Sequence, residues 1–263
     1  MNIKDQLGRV ITLPNTPKRI ISLVPSQTEL LYDLGLSDNI VGQTLFCVHP
    51  HAAFKASVKI GGTKKLNIEK IVSLKPDVII ANKEENEKEQ IEELERHFPV
   101  WISDVNTFED AVDMIESVGL ITGTEAKAAN IITSVIEARN AFLKKAYPKQ
   151  RVVYLIWNEP LIAVGKATFI DTMLSEAGYE NAVTESRYPE ISIETIQNLN
   201  PDLVFLSSEP FPFKEIHKEE INRPFNQNKA VLVDGEMFSW YGSRLIQAYD
   251  YFSKIRKPEM NYE

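Results

Sequence analysis

The sequence predicts an α/β protein: two Rossmann-like α/β lobes with mostly parallel sheets, joined by one long spine helix. Three observations predict it. The chain repeats itself: Asn67-Ile-Glu-Lys-Ile-Val-Ser-Leu-Lys-Pro-Asp-Val-Ile-Ile80 and Ser192-Ile-Glu-Thr-Ile-Gln-Asn-Leu-Asn-Pro-Asp-Leu-Val-Phe205 share six of 14 positions, including Glu69/Glu194 and Pro76/Pro201. Around each copy, unbroken apolar runs of strand length alternate with helical segments in the same order, as buried parallel strands do. Between the copies, residues 124–146 hold no Gly or Pro, and Ala128, Ile131, Ile132, Val135, Ala138, Ala141, Phe142 and Ala146 follow the helical period. The expected division is a first lobe over 1–123, a spine helix over 124–147 and a second lobe over 148–263. One doubly wound domain with chance repetition is the competing reading.

The elements follow in order. Residues 19–24 and 151–156 read as the first strand of each lobe. Helices follow over 28–34, ending at Gly35, and over 168–177, ending at Gly178. Ser26 with Glu29, and Thr168 with Asp171, have capping-box spacing, the second in a variant with Asp. Short strands come next near 40–41 and 182–183. In each repeated segment Asn67 or Ser192 caps a short helix, and Pro-Asp then stops it and launches an apolar strand. A further helix (87–96; 213–222) and strand (99–102; 230–233) complete each lobe. A helix over 107–122 packs onto the first lobe, and 243–257 closes the chain as a helix. A spine that long limits hinge motion, so ligand binding is expected to move the lobes little.

Composition excludes several classes. With 29 Lys+Arg against 37 Asp+Glu, the net charge of −8 argues against nucleic acid as the main partner. No apolar run approaches the 18 residues of a membrane span. The single cysteine, Cys47, excludes an intramolecular disulfide. The first ten residues carry no apolar h-region, so a secretory signal is not expected in this sequence as given. No G-x-G-x-x-G, G-x-S-x-G or P-loop spacing occurs, although Gly61-Gly-Thr-Lys-Lys65 shares a phosphate loop's composition.

Open α/β sheets bind ligands beyond the carboxyl ends of their strands. The loops that should lie there are 25–27, 46–49, 82–85, 157–160, 207–213 and 237–241. The second-lobe loops are rich in aromatics: Trp157, Phe211, Phe213, Phe238, Trp240 and Tyr241, with Tyr188 close by. So much flat apolar surface suits a large planar or macrocyclic ligand, and Arg187 and Arg244 suit carboxylate or phosphate groups on it. The bland alternative is that some of these rings are lobe core. Cys47, His49 and His51 put three metal-ligating side chains within five residues. They divide between a direct metal site, a pocket wall or axial contact to a chelated metal, and a plain loop turned by Pro50. Glu84–Lys88 and Glu92–Arg96 have the i,i+4 spacing of a solvated helix face.

Arg19-Ile-Ile-Ser-Leu-Val-Pro-Ser-Gln-Thr-Glu-Leu-Leu31, Gly61-Gly-Thr with Asn67-Ile-Glu-Lys-Ile71, Leu74-Lys-Pro-Asp-Val78, Trp157-Asn-Glu-Pro160 and Ser239-Trp-Tyr-Gly-Ser-Arg244 resemble the class III extracytoplasmic solute-binding proteins of ABC importers. The nearest branch is the helical-backbone metal receptors that bind cobalamin, ferric siderophores or haem. The resemblance runs from about residue 5 to 257. It implies a non-catalytic, monomeric, periplasmic or lipid-anchored receptor. Such a receptor takes a metal chelate between its lobes, delivers it to a permease with its ATPase, and holds no intrinsic cofactor. It places permease-docking carboxylates at Glu69 and Glu194, the residues the repeat itself picks out. Their alternative role is as helix-dipole partners in the first turn. It places Phe46 among the ligand-stacking aromatics, with His49, Trp157, Arg187, Tyr188, Trp240, Tyr241 and Arg244 as further candidate contacts. Where cobalamin binders carry Trp, this chain has Thr63. The ligand is then either not cobalamin, or is held mainly by Trp157, Trp240 and Tyr241. The rival reading is a cytoplasmic corrinoid- or chelate-binding protein or enzyme on the same scaffold. Nitrogenase-like relatives of that kind need clustered cysteines, against the lone Cys47.

Overall fold

The computed structural model describes residues 1–225, 227 and 229–256, which fall into two compact units. The first takes Met1–Val105, Glu109–Ile136 and Trp240–Arg244. The second takes Asn106–Phe108, Glu137–Ser239 and the chain from Leu245 on.

The first unit opens with an antiparallel pair the sequence pattern did not reveal, β1 (Asn2–Lys4) with β2 (Val10–Thr12). The Asp5 carboxylate accepts from the Leu7 and Arg9 amides and closes the turn. The chain then alternates: β3 (Ile20–Ser22), α1 (Pro25–Asp33), β4 (Ile40–Gln43), α2 (His51–Ala56), α3 (Ile68–Ser73), β5 (Val78–Asn82), α4 (Lys88–Glu95) and β6 (Val100–Ser103). The sheet order is β4-β3-β5-β6, all parallel, with Ile21 opposite Ile79 and Ile80 opposite Trp101. Both faces of β5 are buried, which is why its sequence is unbroken apolar up to Asn82. Helix α5 (Phe108–Thr122) turns through Gly123 into α6 (Glu125–Leu143). Gly119 lets these helices meet: a Cβ there would stand 2.5 Å from that of Ala128.

Helix α6 is the expected spine, shortened to 19 residues, and the chain passes from the first unit to the second inside it, between Ile136 and Glu137. The apolar period gives way to Lys144, Lys145 and Tyr147-Pro148, and a residue before proline resists the helical conformation.

The second unit runs β7 (Gln150–Trp157), β8 (Ile162–Ala163), α7 (Phe169–Glu176), β9 (Tyr179–Asn181), α8 (Ile193–Leu199), β10 (Leu203–Ser207), α9 (Glu215–Asn222), β11 (Ala230–Val233), α10 (Glu236–Ser239) and α11 (Arg244–Ile255). Strands β9, β7, β10 and β11 are parallel neighbours, the same strand order as in the first unit, and the short β8 adds antiparallel to β7. One face of this sheet buries Val153, Leu155, Val204 and Leu206 with Ile196 and Phe213. On the alternate residues Tyr154 and Phe205 pack with Phe238, which in turn meets Phe252. Phe238 and Phe213 are therefore core, not ligand-facing loop. The expected strand at 182–183 lies instead at Tyr179–Asn181, and Lys257, the last residue of the expected closing helix, lies outside the described residues.

The repeated helices start as their sequences dictate. Asn67 accepts from the Lys70 amide, Ser192 from the Thr195 amide, and Thr168 from the Asp171 amide. The first capping box does not form. Helix α1 begins at Pro25, so Ser26 lies inside it, and the N-cap position falls on Val24, whose side chain makes no capping bond.

Candidate functional site

In the first unit the strands deliver four polar residues to their carboxyl ends: Ser22, Gln43, Asn82 and Ser103. The loop after β4 is fixed from beneath by Cys47, which is fully buried. The Thr28 hydroxyl donates to its Sγ at 3.0 Å, Thr44 Oγ1 lies at 3.1 Å, and the Gln43 amide donates to its carbonyl at 2.7 Å. Burial raises the Cys47 thiol above its ordinary range, against the two threonine hydroxyls, so the sulfur stays protonated. That anchoring leaves Phe46 58% exposed, its ring lying over Gly62, where an added Cβ would stand 3.1 Å from Phe46 Cε2. Thr63 beside it is buried, its carbonyl accepting from the Asn86 amide at 3.1 Å.

Residues Trp240–Arg244 belong to this first unit, which corrects their assignment to the second lobe. The His49 ring stands edge-on to Trp240 at 5.4 Å, and the Arg244 guanidinium lies 5.1 Å over the same indole. Arg244 grips Glu29 with two bonds, Nε to Oε2 at 2.9 Å and a terminal nitrogen to Oε1 at 2.6 Å, both side chains nearly buried. Burial, opposed by Arg244, holds Glu29 above the ordinary carboxylate range. The Tyr241 hydroxyl lies among Ser26, Ser103 and Asn82, and burial raises its pKa. Trp240, Tyr241 and Arg244 thus build the wall of the unit. Arg244 is committed to Glu29 and does not present an open guanidinium to a ligand carboxylate. Sequence reasoning missed Glu29 in this role because its spacing from Ser26 imitates a capping box.

Cys47, His49 and His51 do not converge. Cys47 is sealed between threonines, His49 packs on Trp240, and His51 is exposed at the start of α2. Among the described residues no group of three or more His, Cys, Asp or Glu side chains is placed to hold a metal ion.

In the second unit Trp157 ends β7 and remains 39% exposed, its indole N–H donating to the Glu159 carbonyl at 3.2 Å. Phe211 stands edge-on to it at 5.8 Å. Tyr188 is 38% exposed, with the Arg187 guanidinium 5.6 Å over its ring. Arg187 also donates to the Ala167 carbonyl at 2.7 Å. Glu69 and Glu194 are both exposed, each the second residue of its repeated helix.

The two α/β units share one strand order, and each has an exposed flat side chain at the carboxyl end of its strands, an arrangement suited to binding. Comparison with known proteins agrees: the family described as periplasmic binding protein matches residues 20–231, and the chain belongs to that family. An ABC transporter substrate-binding lipoprotein of Bacillus subtilis, YvrC, is 27% identical over 98% of this chain and 86% of its own length. A vitamin B12-binding protein of Vibrio vulnificus is 31% identical over 72% of this chain and 71% of its own. A periplasmic heme binding protein from Pseudomonas aeruginosa has the same fold, with a TM-score of 0.77 at 21% identity over 92% of this chain and 94% of its own. The family and these relatives are binding proteins rather than enzymes.

Proposed function

We propose that this chain is the substrate-binding component of an ABC importer, an extracytoplasmic receptor that captures a cobalamin-like or iron-chelate ligand and passes it to a membrane permease. The observation that carries the ligand class is the exposure of Phe46, in the loop after β4, and of Trp157, at the carboxyl end of β7. Flat apolar rings left in water at a strand-end position suit a planar macrocycle, not a small hydrated solute. The chemistry is binding only: the receptor performs no catalytic step and needs no resident cofactor. Glu69 and Glu194 are the docking carboxylates, since the same helix start presents the same charge from each unit to a permease of two-fold symmetry. Of the ligand-contact residues named above, Phe46, His49, Trp157, Arg187 and Tyr188 remain candidates for direct contact.

A melting screen with cyanocobalamin, cobinamide, hemin and a ferric hydroxamate tests the reading. A ligand at 100 times its Kd adds about 2.7 kcal/mol and raises the transition by about 5–10 °C. No shift with any of the four overturns the proposed ligand class.

A further inference from the structure

We infer that His217 is a ligand-contacting, specificity-determining residue: its imidazole extends the Trp157–Phe211 ring array and offers an N–H donor to the rim of a planar metal chelate. This rests on the function proposed above and names a chemical requirement on the ligand, hydrogen-bond acceptors at its periphery.

The array is contiguous. Phe211 stands 5.8 Å from Trp157, His217 stands 5.2 Å from Phe211, and the buried Phe213 touches both Phe211 and His217, at 4.9 and 5.6 Å. It also sits at the strand ends. Trp157 is the last residue of β7, and the Phe211 amide donates to the Ile156 carbonyl, which folds the loop after β10 over the end of β7. Phe213 is the floor of the group, whereas Trp157 is exposed and Phe211 and His217 are partly so. The rings meet edge to face, and Trp157 is the member that solvent, and hence a ligand, reaches most freely.

The tautomer of His217 follows from its own helix. His217 occupies the first turn of α9, and the Lys214 backbone N–H donates to Nδ1 at 2.9 Å. An imidazole nitrogen that accepts carries no proton, so the proton resides on Nε2. Among the described residues nothing accepts from that Nε2. The cap thus does two things: it closes the helix start, and it fixes the ring as a donor beside an edge-to-face cluster of aromatic rings. A neutral donor of this kind pairs with a carboxylate or amide oxygen on a macrocycle rim. In this tautomer Nε2 has no lone pair for a metal, so His217 reads the periphery of the chelate and not its centre.

Two substitutions separate this role from a structural one. His217→Asn keeps an acceptor near the Nδ1 position and loses the outer donor; His217→Gln keeps a donor near the Nε2 position and loses the cap. Affinities for hemin and cyanocobalamin are measured by tryptophan quenching, with melting of the unliganded proteins alongside. The expected pattern is a loss of about fivefold for His217→Asn, with melting near wild type, and near-wild-type affinity for His217→Gln. Equal affinity in both variants, or a loss that follows the cap in His217→Gln and spares His217→Asn, overturns the inference while leaving the proposed function standing. Failure of the wild-type protein to bind either probe overturns the inference together with its ligand class.

Discussion

Replacing Arg244 by methionine tests whether the segment Trp240–Arg244 is held in the first unit by charge. Arg244 and Glu29 keep only 6% and 11% of their side chains exposed and share two charge-assisted hydrogen bonds of 2.6–2.9 Å. Removing one partner of a buried pair leaves the other uncompensated, at a cost of roughly 3–5 kcal/mol. Stacking of the guanidinium on Trp240 adds about 0.5–2 kcal/mol. Glu29 offsets part of the loss, because burial already pulls it towards the protonated form. The expected destabilisation is therefore about 3 kcal/mol, read by urea unfolding followed by far-ultraviolet circular dichroism. The double variant Glu29→Met with Arg244→Met, which removes both charges, should regain most of that loss. A single variant within 1 kcal/mol of wild type, or a double variant no better than the single one, would refute the reasoning.

Glu29 also gives a pH signature. Its folded-state pKa lies above its unfolded value, so the folded chain holds the proton longer and stability falls as pH rises through the window just above the ordinary glutamate range. Glu29→Gln should flatten that part of the stability curve in urea titrations at several pH values; an unchanged slope contradicts the assignment. Glu69→Arg combined with Glu194→Arg should abolish uptake in a reconstituted transport assay while ligand affinity stays at wild type, and an equal fall in affinity would move both residues from docking to the ligand site. Gly165→Ala should cost about 3 kcal/mol or more, because an added Cβ would stand 2.1 Å from the Glu185 carbonyl oxygen, and calorimetry showing a near-neutral change would mean that the 163–166 segment can shift.

Much of the scaffold was legible because it depends on local chemistry. Asn67 and Ser192 each satisfy an amide three residues on, and Pro76 and Pro201 each end a helix before a strand that must be apolar on both faces. What failed was of two kinds. Short elements such as β1, β2 and α2 carry too few residues to show a period. Long-range pairing was invisible in principle: Glu29 has capping-box spacing from Ser26, yet its carboxylate goes to Arg244, 215 positions away. The same blindness put Trp240 and Tyr241 with their sequence neighbours in the second half, and gave Arg244 an open guanidinium. At the candidate site, the family resemblance pointed to Phe46 and residue type to Trp157, which are both exposed, but residue type pointed equally to Phe238, which is core. An aromatic side chain announces apolar contact without saying whether the contact is protein or ligand.

The return of Trp240–Arg244 to the first unit has a consequence in time. A chain grows from its N-terminus, and all other parts of that unit are complete at Ile136. Until Arg244 emerges, Glu29 lacks its guanidinium partner, and the polar ends of β5 and β6 lack Tyr241. At ordinary elongation speeds that interval is roughly 5–20 s. The first half of this protein therefore waits, unfinished, for its last quarter to be made. A truncation anywhere before residue 244 deprives both halves of a finished fold.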